Sequence, residues 1–179
     1  IVGGVGLLLM TRVGAGANYL TDVFPAVLVF GLGLSATVAP LTATVLDSVA
    51  ERRVGIASGV NNGVSRVAGL LAIAVLGAVI SAQFGSRLET EIGARPLTPA
   101  AQHAVAEAKE QPLGLPRTEG LAAPEASRLE DEGSSASTSA FHLGVLLAAL
   151  LMIAGGICSG VGIENPRREG SEAPEPSAA

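Results

Sequence analysis

The chain has 179 residues, of which 49% are hydrophobic and 15% are charged, and its mean hydropathy is +0.51. It is too apolar for an ordinary soluble domain, and its apolar residues are gathered into runs long enough to span a bilayer. The net charge of −5 does not indicate a nucleic-acid partner, and a single cysteine excludes a disulfide framework within the chain. We therefore predict a helical membrane protein.

The first predicted element is the apolar run 1–10, which is too short to cross a bilayer at about 20 residues per crossing. We interpret it as the end of a truncated transmembrane helix, so we expect the sequence to be the C-terminal piece of a longer chain. It lacks the basic segment and cleavage pattern of a signal peptide. Glycine and asparagine residues over 11–22 then predict a short turn between antiparallel helices.

The second predicted element is a transmembrane helix over 24–46, a run without charged residues. Pro40 lies deep inside it and frees a backbone carbonyl one turn earlier, which predicts a kink. We expect neighbouring helices or the hydroxyls of Ser35 and Thr37 to satisfy the backbone there.

A short charged elbow, DSVAERR over 47–53, joins this helix to the next one. Its basic residues favour a cytoplasmic position, because short loops rich in arginine tend to stay inside the cell. The turn over 11–22 would then face outward. The elbow residues that we single out are Asp47, Arg52 and Arg53.

The third predicted element is a transmembrane helix over 55–82, whose polar and small residues fall on one broad face. Glycines recur there at every fourth position, a ladder that lets another helix approach closely. A polar stripe of Ser58, Asn62 and Arg66 runs beside the ladder, with Asn61 next to it. The residues assigned to helix packing and hinge motion are Gly55, Gly59, Gly63, Gly31, Gly33 and Pro40.

Two interpretations of Arg66 stay open at this point. An arginine in a membrane helix is costly to leave unpaired, which favours a role in a substrate path or in gating. Counting back about 20 residues from Ala82, however, places Arg66 within a turn of the cytoplasmic boundary, where its side chain can reach water. Two interpretations also stay open for Asn61 and Asn62: they would either hydrogen-bond to another helix or line a cavity.

Hydrophobic periodicity mostly lapses over 83–140, which is rich in proline and serine, and we predict a flexible extracytoplasmic loop. Within it, 98–109 has the pattern of a short surface helix with Thr98 as its N-cap and Pro99 at its first position.

The last predicted transmembrane helix is 141–163, which follows the long loop. His142 stands at its outer end and is expected to be interfacial. Residues 164–179 are typical of a disordered cytoplasmic tail.

The run GLGLSATVAPLTATVL, the elbow with Glu51, Arg52 and Arg53, and the run GIASGVNNGVSRVAGLLAIAVLG together resemble the C-terminal half of major facilitator superfamily transporters. The likeness is to the fourteen-spanner drug:proton antiporter branch, and it is best over 24–82. It implies an all-α polytopic transmembrane bundle, with three full spans and a truncated one in this chain. It also implies alternating access, with export of small amphipathic substrates driven by protons.

We therefore expect the C-terminal portion of a secondary active transporter, a multidrug exporter in the inner (plasma) membrane of a bacterium. Its partners would be the lipid bilayer and the missing N-terminal part of the same transporter. The helices over 24–46 and 55–82 would rock as a pair around the elbow. We expect no enzyme activity, no cofactor and no metal, since the chain has only two histidines and one cysteine and the predicted spans contain no acidic residue. The alternative is a non-transporting membrane assembly or sensor subunit, and a membrane-embedded enzyme is a weaker rival.

Overall fold

The apolar runs of the sequence form long helices in the computed structural model. It describes residues 1–14, 16–47, 50–93, 95–111, 113–114 and 116–162, without the side chains of 39–43, 45–47 and 51. The elements are α1 (Val2–Met10), a π-helical turn (Tyr19–Val23), α2 (Phe24–Asp47), a 3₁₀ turn (Glu51–Arg53), α3 (Val54–Ile92), α4 (Pro99–Glu110) and α5 (Ala123–Gly162). No strand occurs in these ranges, so the prediction of an all-α fold is confirmed. The predicted tail over 164–179 lies outside the described residues.

Three segments are long and apolar enough to cross a membrane: Tyr19–Val38, α3 and α5. The most apolar window of α3 has a mean hydropathy of 2.2, yet only 6% of it is buried inside the protein. A helix with so apolar a stretch, covered so little by protein, needs lipid around that stretch. The chain is therefore that of a membrane-embedded helical protein.

Helix α1 lies between α2 and α5 and contacts both through glycines. A Cβ atom built on Gly4 would lie 2.5 Å from Cγ1 of Ile153 on α5. On the other side of α1, a Cβ atom on Gly33 of α2 would overlap the backbone of Gly3. The absence of side chains at these points lets the helix backbones come together, as small residues do in membrane bundles generally.

The turn before α2 is held by its own polar side chains. The backbone N–H of Asn18 donates to Oδ2 of Asp22 at 2.8 Å, and the Asn18 side chain accepts from the N–H of Leu20 at 2.9 Å. These reciprocal bonds satisfy donors that would otherwise be unpaired at a helix N-terminus. They fix the conformation of the turn from which α2 begins.

His142 joins α5 to the end of α1, since its Nε2 atom lies 2.7 Å from the carbonyl oxygen of Val13. A carbonyl only accepts hydrogen bonds, so Nε2 is the donor. Two residues that are far apart in sequence are thereby tied together at one end of the bundle.

We expect His142→Leu to lower the free energy of unfolding by about 1 kcal/mol, the usual net value of one hydrogen bond. His142→Gln is the matched control, because its amide N–H₂ can still donate to the Val13 carbonyl. Denaturation of both variants in the same detergent gives the comparison. Equal stability of the two would show that the bond contributes nothing.

Helices α3 and α5 are much longer than the predicted spans, with 39 and 40 residues. At about 1.5 Å per residue each is about 60 Å long, roughly twice the hydrocarbon thickness of a bilayer. Their extra length forms, with α4, a packed structure that we call the cap: α3 from Phe84 onward, α4 and α5 up to Ala140. Its hydrophobic core consists of Phe84, Leu88, Ile92, Ala104, Val105, Ala108, Leu129, Ala136 and Ala140.

The predicted flexible loop over 83–140 is therefore wrong in its secondary structure, since three helices cover most of it. The physical reason is that Phe84, Leu88 and Ile92 form one stripe at spacing four that continues the α3 helix into the cap. The short helix predicted inside the loop is confirmed as α4. Thr98 is its N-cap and accepts from the N–H of Ala101 at 3.2 Å.

Ion pairs hold α4 and the loops to the rest of the cap. Nζ of Lys109 donates to Oε1 of Glu89 at 2.6 Å. This hydrogen bond and the ammonium charge hold the pKa of the Glu89 carboxyl, which lies beyond the predicted span, below its usual range. Arg95 pairs with Glu132 across the cap.

Candidate functional site

The polar stripe predicted on the third helix lies in the first half of α3. Ser58, Asn62 and Arg66 follow one another at spacing four on this continuous helix, so they share one side of it. Asn62 and Arg66 are exposed, whereas Ser58 and Asn61 are half-buried. The structure thus places the four residues together, and they present amide, hydroxyl and guanidinium groups that can bind a polar ligand or another helix.

Arg66 has no ionic partner among the residues that the structure describes, where the ion pairs are Arg95–Glu132, Lys109–Glu89 and Arg117–Glu107. The next charged residue along α3 is Arg87. The uncharged stretch between the two arginines is about 32 Å long, close to the roughly 30 Å of a hydrocarbon core. This spacing agrees with Arg66 lying near one membrane boundary rather than at the midplane.

The glycine ladder on the same half of α3 has no packing partner within the described chain. A Cβ atom built on Gly55, Gly59 or Gly63 would meet nothing within 4 Å. The expected close approach of another helix is therefore not made by α1, α2 or α5. The opposite side of α3 is exposed as well, at Ile56, Val60, Val64, Val67, Leu70 and Leu71.

The two glycines of α2 that were assigned to helix packing and hinge motion, Gly31 and Gly33, differ in what they contact. Gly33 lies directly against the backbone of Gly3, as described above, and its assignment to helix packing agrees with that contact. Gly31, two residues earlier, has nothing within 4 Å of a built Cβ atom. A single apolar helix thus carries one glycine in tight contact and one that faces open space.

α2 continues as helix through Pro40, and the side chains around that proline lie outside the described set, so its kink stays a prediction. The carbonyl that Pro40 frees belongs to Ala36. The Ser35 hydroxyl donates to the Gly31 carbonyl at 2.9 Å and the Thr37 hydroxyl to the Gly33 carbonyl at 2.7 Å. The two hydroxyls therefore bond one turn back on their own helix and do not serve the Ala36 carbonyl, so the second of the two expected ways to satisfy the backbone is wrong. Such bonds tend to bend helices, and here they precede the proline.

The charged elbow is only partly described. Asp47 is the last residue of α2, and residues 48 and 49 lie outside the described residues. Arg52 and Arg53 are exposed on the 3₁₀ turn, where the Arg53 N–H donates to the Ala50 carbonyl at 2.7 Å. Their basic side chains are thus available to water or to anionic lipid headgroups.

The cap contains a cavity that sequence reasoning missed. It lies between the loop after α3 and the first turns of α4 and α5, and it has a volume of about 310 Å³. A second, more open depression lies at Val13, Ser137 and Phe141. Among the described residues, no three histidine, cysteine or acidic side chains are grouped so that they could hold a metal ion.

These features define a class, that of helical proteins that cross a membrane more than once. No family model matches the chain, and neither a curated protein nor a solved structure matches it significantly. The function must therefore be argued from the residues and their geometry.

Proposed function

We propose that the chain is the C-terminal portion of a secondary active transporter of the major facilitator superfamily, a proton-coupled multidrug exporter that works by alternating access. The sequence likeness over 24–82 supports this. The observation that carries it is the first half of α3, where a polar stripe lies beside a glycine ladder that contacts no other helix of the described chain and the apolar side is exposed. Such a face fits a helix that borders a polar path and contacts further helices of a larger bundle.

The helix packing suggests which parts would move together. α1 packs against both α2 and α5, and α3 packs along α5 and shares the cap with it, whereas α2 and α3 contact each other only slightly. Our expectation that the helices of 24–46 and 55–82 rock as a pair is revised accordingly. In the proposed mechanism α3 moves with α5, and α2 is displaced relative to them, most of all at its elbow end.

Arg66 would lie at the cytoplasmic mouth of the path, in keeping with its distance from Arg87. Near a boundary the guanidinium stays hydrated and costs little to keep charged, yet it can still act on a passing ligand. Substrates would be small amphipathic molecules, which suit a path lined by amides, hydroxyls and apolar side chains. The predicted spans carry no carboxylate, so the residues that bind the coupling proton would belong to other helices of the transporter.

The test is export of an amphipathic fluorescent dye by cells that produce the intact protein. We expect Arg66→Ala and Gly59→Leu each to lower the initial export rate by about tenfold or more. The first removes the charge, and the second places a bulky side chain where the glycines would let another helix approach closely. Two controls match them on the same helix: Arg87→Ala, at the far end of the uncharged stretch, and Val60→Leu, on the exposed apolar side.

Unchanged export by Arg66→Ala and Gly59→Leu, at the same protein level as the controls, would remove the gating role from this half of α3. Loss of export in Arg87→Ala to the same degree would show that the effect is not specific to the stripe.

A second candidate function, a non-transporting assembly or sensor subunit, is favoured by one observation, the packed cap with its cavity. In that case the exposed half of α3 would dock a partner helix. The same assay separates the two functions, since such a subunit would produce no export above that of cells lacking the protein.

A further inference from the structure

The cap cavity has the size and lining of a site for a small molecule. Its volume of about 310 Å³ is at the lower end of the range for ligand pockets. At roughly 30 Å³ per water-sized group, it has room for about ten non-hydrogen atoms. It is bounded by the loop after α3 and by the first turns of α4 and α5, so three separate segments enclose it.

One side of the cavity is apolar. Ala101 of α4 and Leu129 of α5 line it and are almost wholly buried, at 0% and 2% exposure. Leu97 lines it from the loop and packs against the cap core. These side chains offer a surface against which the apolar part of a ligand can be buried.

The charged residues of the cavity are four, and three of them already have partners. Arg95 pairs with Glu132 and donates to the carbonyl oxygens of Ile92 and Glu91, both at 2.9 Å. Glu125 accepts from Thr98, from its N–H at 3.3 Å and from its hydroxyl at 3.0 Å.

Arg128 is the fourth charged residue, and it makes no hydrogen bond or ion pair with any residue that the structure describes. A guanidinium group holds five N–H donors in a planar fork that matches a carboxylate. The cavity therefore combines an apolar wall with one cation that lacks an internal partner, while its acidic groups are engaged.

We propose that the cap cavity binds a small monocarboxylate with a short apolar body. The carboxylate lies on the guanidinium of Arg128, and the apolar body lies on Leu97, Ala101 and Leu129. A cationic ligand fits less well, because Glu125 and Glu132 are bound by Thr98 and Arg95. This site is separate from the polar stripe of α3 and does not depend on the proposed transport.

The experiment uses the intact protein in detergent and 4-fluorobenzoate, which has about ten non-hydrogen atoms, as the probe. Titration followed by ¹⁹F NMR should show saturable binding, and Arg128→Gln should weaken it by about tenfold, since a charge-assisted bidentate contact is lost. Arg87→Gln, which removes an exposed arginine of α3 outside the cavity, should leave the affinity unchanged. 4-Fluorobenzylamine, of nearly the same shape but opposite charge, should not saturate.

Three results would each overturn the proposal: binding that does not saturate, equal affinities of Arg128→Gln and Arg87→Gln, or tighter binding of the amine. Resistance of the cap to trypsin checks that the variants are folded. Arg128 is exposed and lies outside the cap core, so its replacement should leave that core intact. Arg128→Lys gives a second measure, because it keeps the charge but loses the planar fork and should bind with intermediate affinity.

Discussion

We expect Gly33→Ala to lower the free energy of unfolding by about 1–3 kcal/mol relative to Gly31→Ala. A methyl group at position 33 would overlap the backbone of Gly3, so α1 and α2 would have to move apart. Overpacking of a tight contact usually costs this much when the backbone has to shift. Unfolding of the purified protein by increasing sodium dodecyl sulfate in mixed micelles measures the difference.

Gly31→Ala is a close control, since it changes the same helix in the same way two residues earlier. A Cβ atom at position 31 meets nothing within 4 Å. Both variants gain the same helix propensity from alanine, so that gain cancels in the comparison. Equal stabilities of the two variants would contradict the close contact between α1 and α2.

The second large effect is expected in the cap. Phe84 is fully buried, at 0% exposure, and is the largest side chain of the cap core. Truncation of a buried phenylalanine to alanine usually costs about 3–5 kcal/mol. We expect Phe84→Ala to speed tryptic cleavage after Lys109 and Arg117 by at least about tenfold, because cleavage follows the population of the opened cap.

Leu70→Ala serves as the control for this change. Leu70 lies on the same helix but is 69% exposed and outside the cap. Its truncation should leave the cleavage rate of the cap unchanged. Cleavage in the unaltered protein as fast as in Phe84→Ala would show that the cap core does not hold the cap closed.

The spans could be predicted from the sequence because a helix in lipid needs only a sufficiently long apolar run. The run over 24–46 matches α2 to within a residue. What the sequence could not indicate is which glycines lie at contacts. Gly31 and Gly33 both sit among apolar residues in the sequence, yet Gly33 lies against α1 and Gly31 faces open space. That difference depends on how the helices are arranged, which the local pattern does not contain.

The cap was missed because proline and serine content outweighed a weaker periodic signal. Leu129, Gly133, Ala136 and Ala140 follow at spacings of four, three and four, which is the pattern of one helix face. Most of these residues are small, so the apolar stripe is faint in α5 and clear only in Phe84, Leu88 and Ile92 of α3. The cap is indicated in the sequence only when the stripe of α3 and the fainter stripe of α5 are considered together, as two helix faces that can pack on each other.

That Ser58, Asn62 and Arg66 share one side of α3 could be predicted, because helical spacing alone brings them there, while their role stays a prediction. The cavity of the cap was not predicted, since it is formed by three segments that are distant in sequence. The absence of an internal partner for Arg128 is visible only once Arg95 is paired with Glu132 and Glu125 with Thr98. From the sequence alone, a charged residue of the cap that has an ionic partner cannot be distinguished from one that has none.

The bonds around Asn18 and the link from His142 to Val13 lie at the same end of the bundle, the end at which α2 begins. α2 has 24 residues and is about 36 Å long. A rigid tilt of about 10° about the Asn18 end would displace the far end of α2, next to the elbow, by about 6 Å, whereas the near end would hardly move. Under the proposed transport mechanism α2 would thus act as a lever, in which a small rotation at the Asn18 end becomes an opening the size of a small molecule at the Asp47 end.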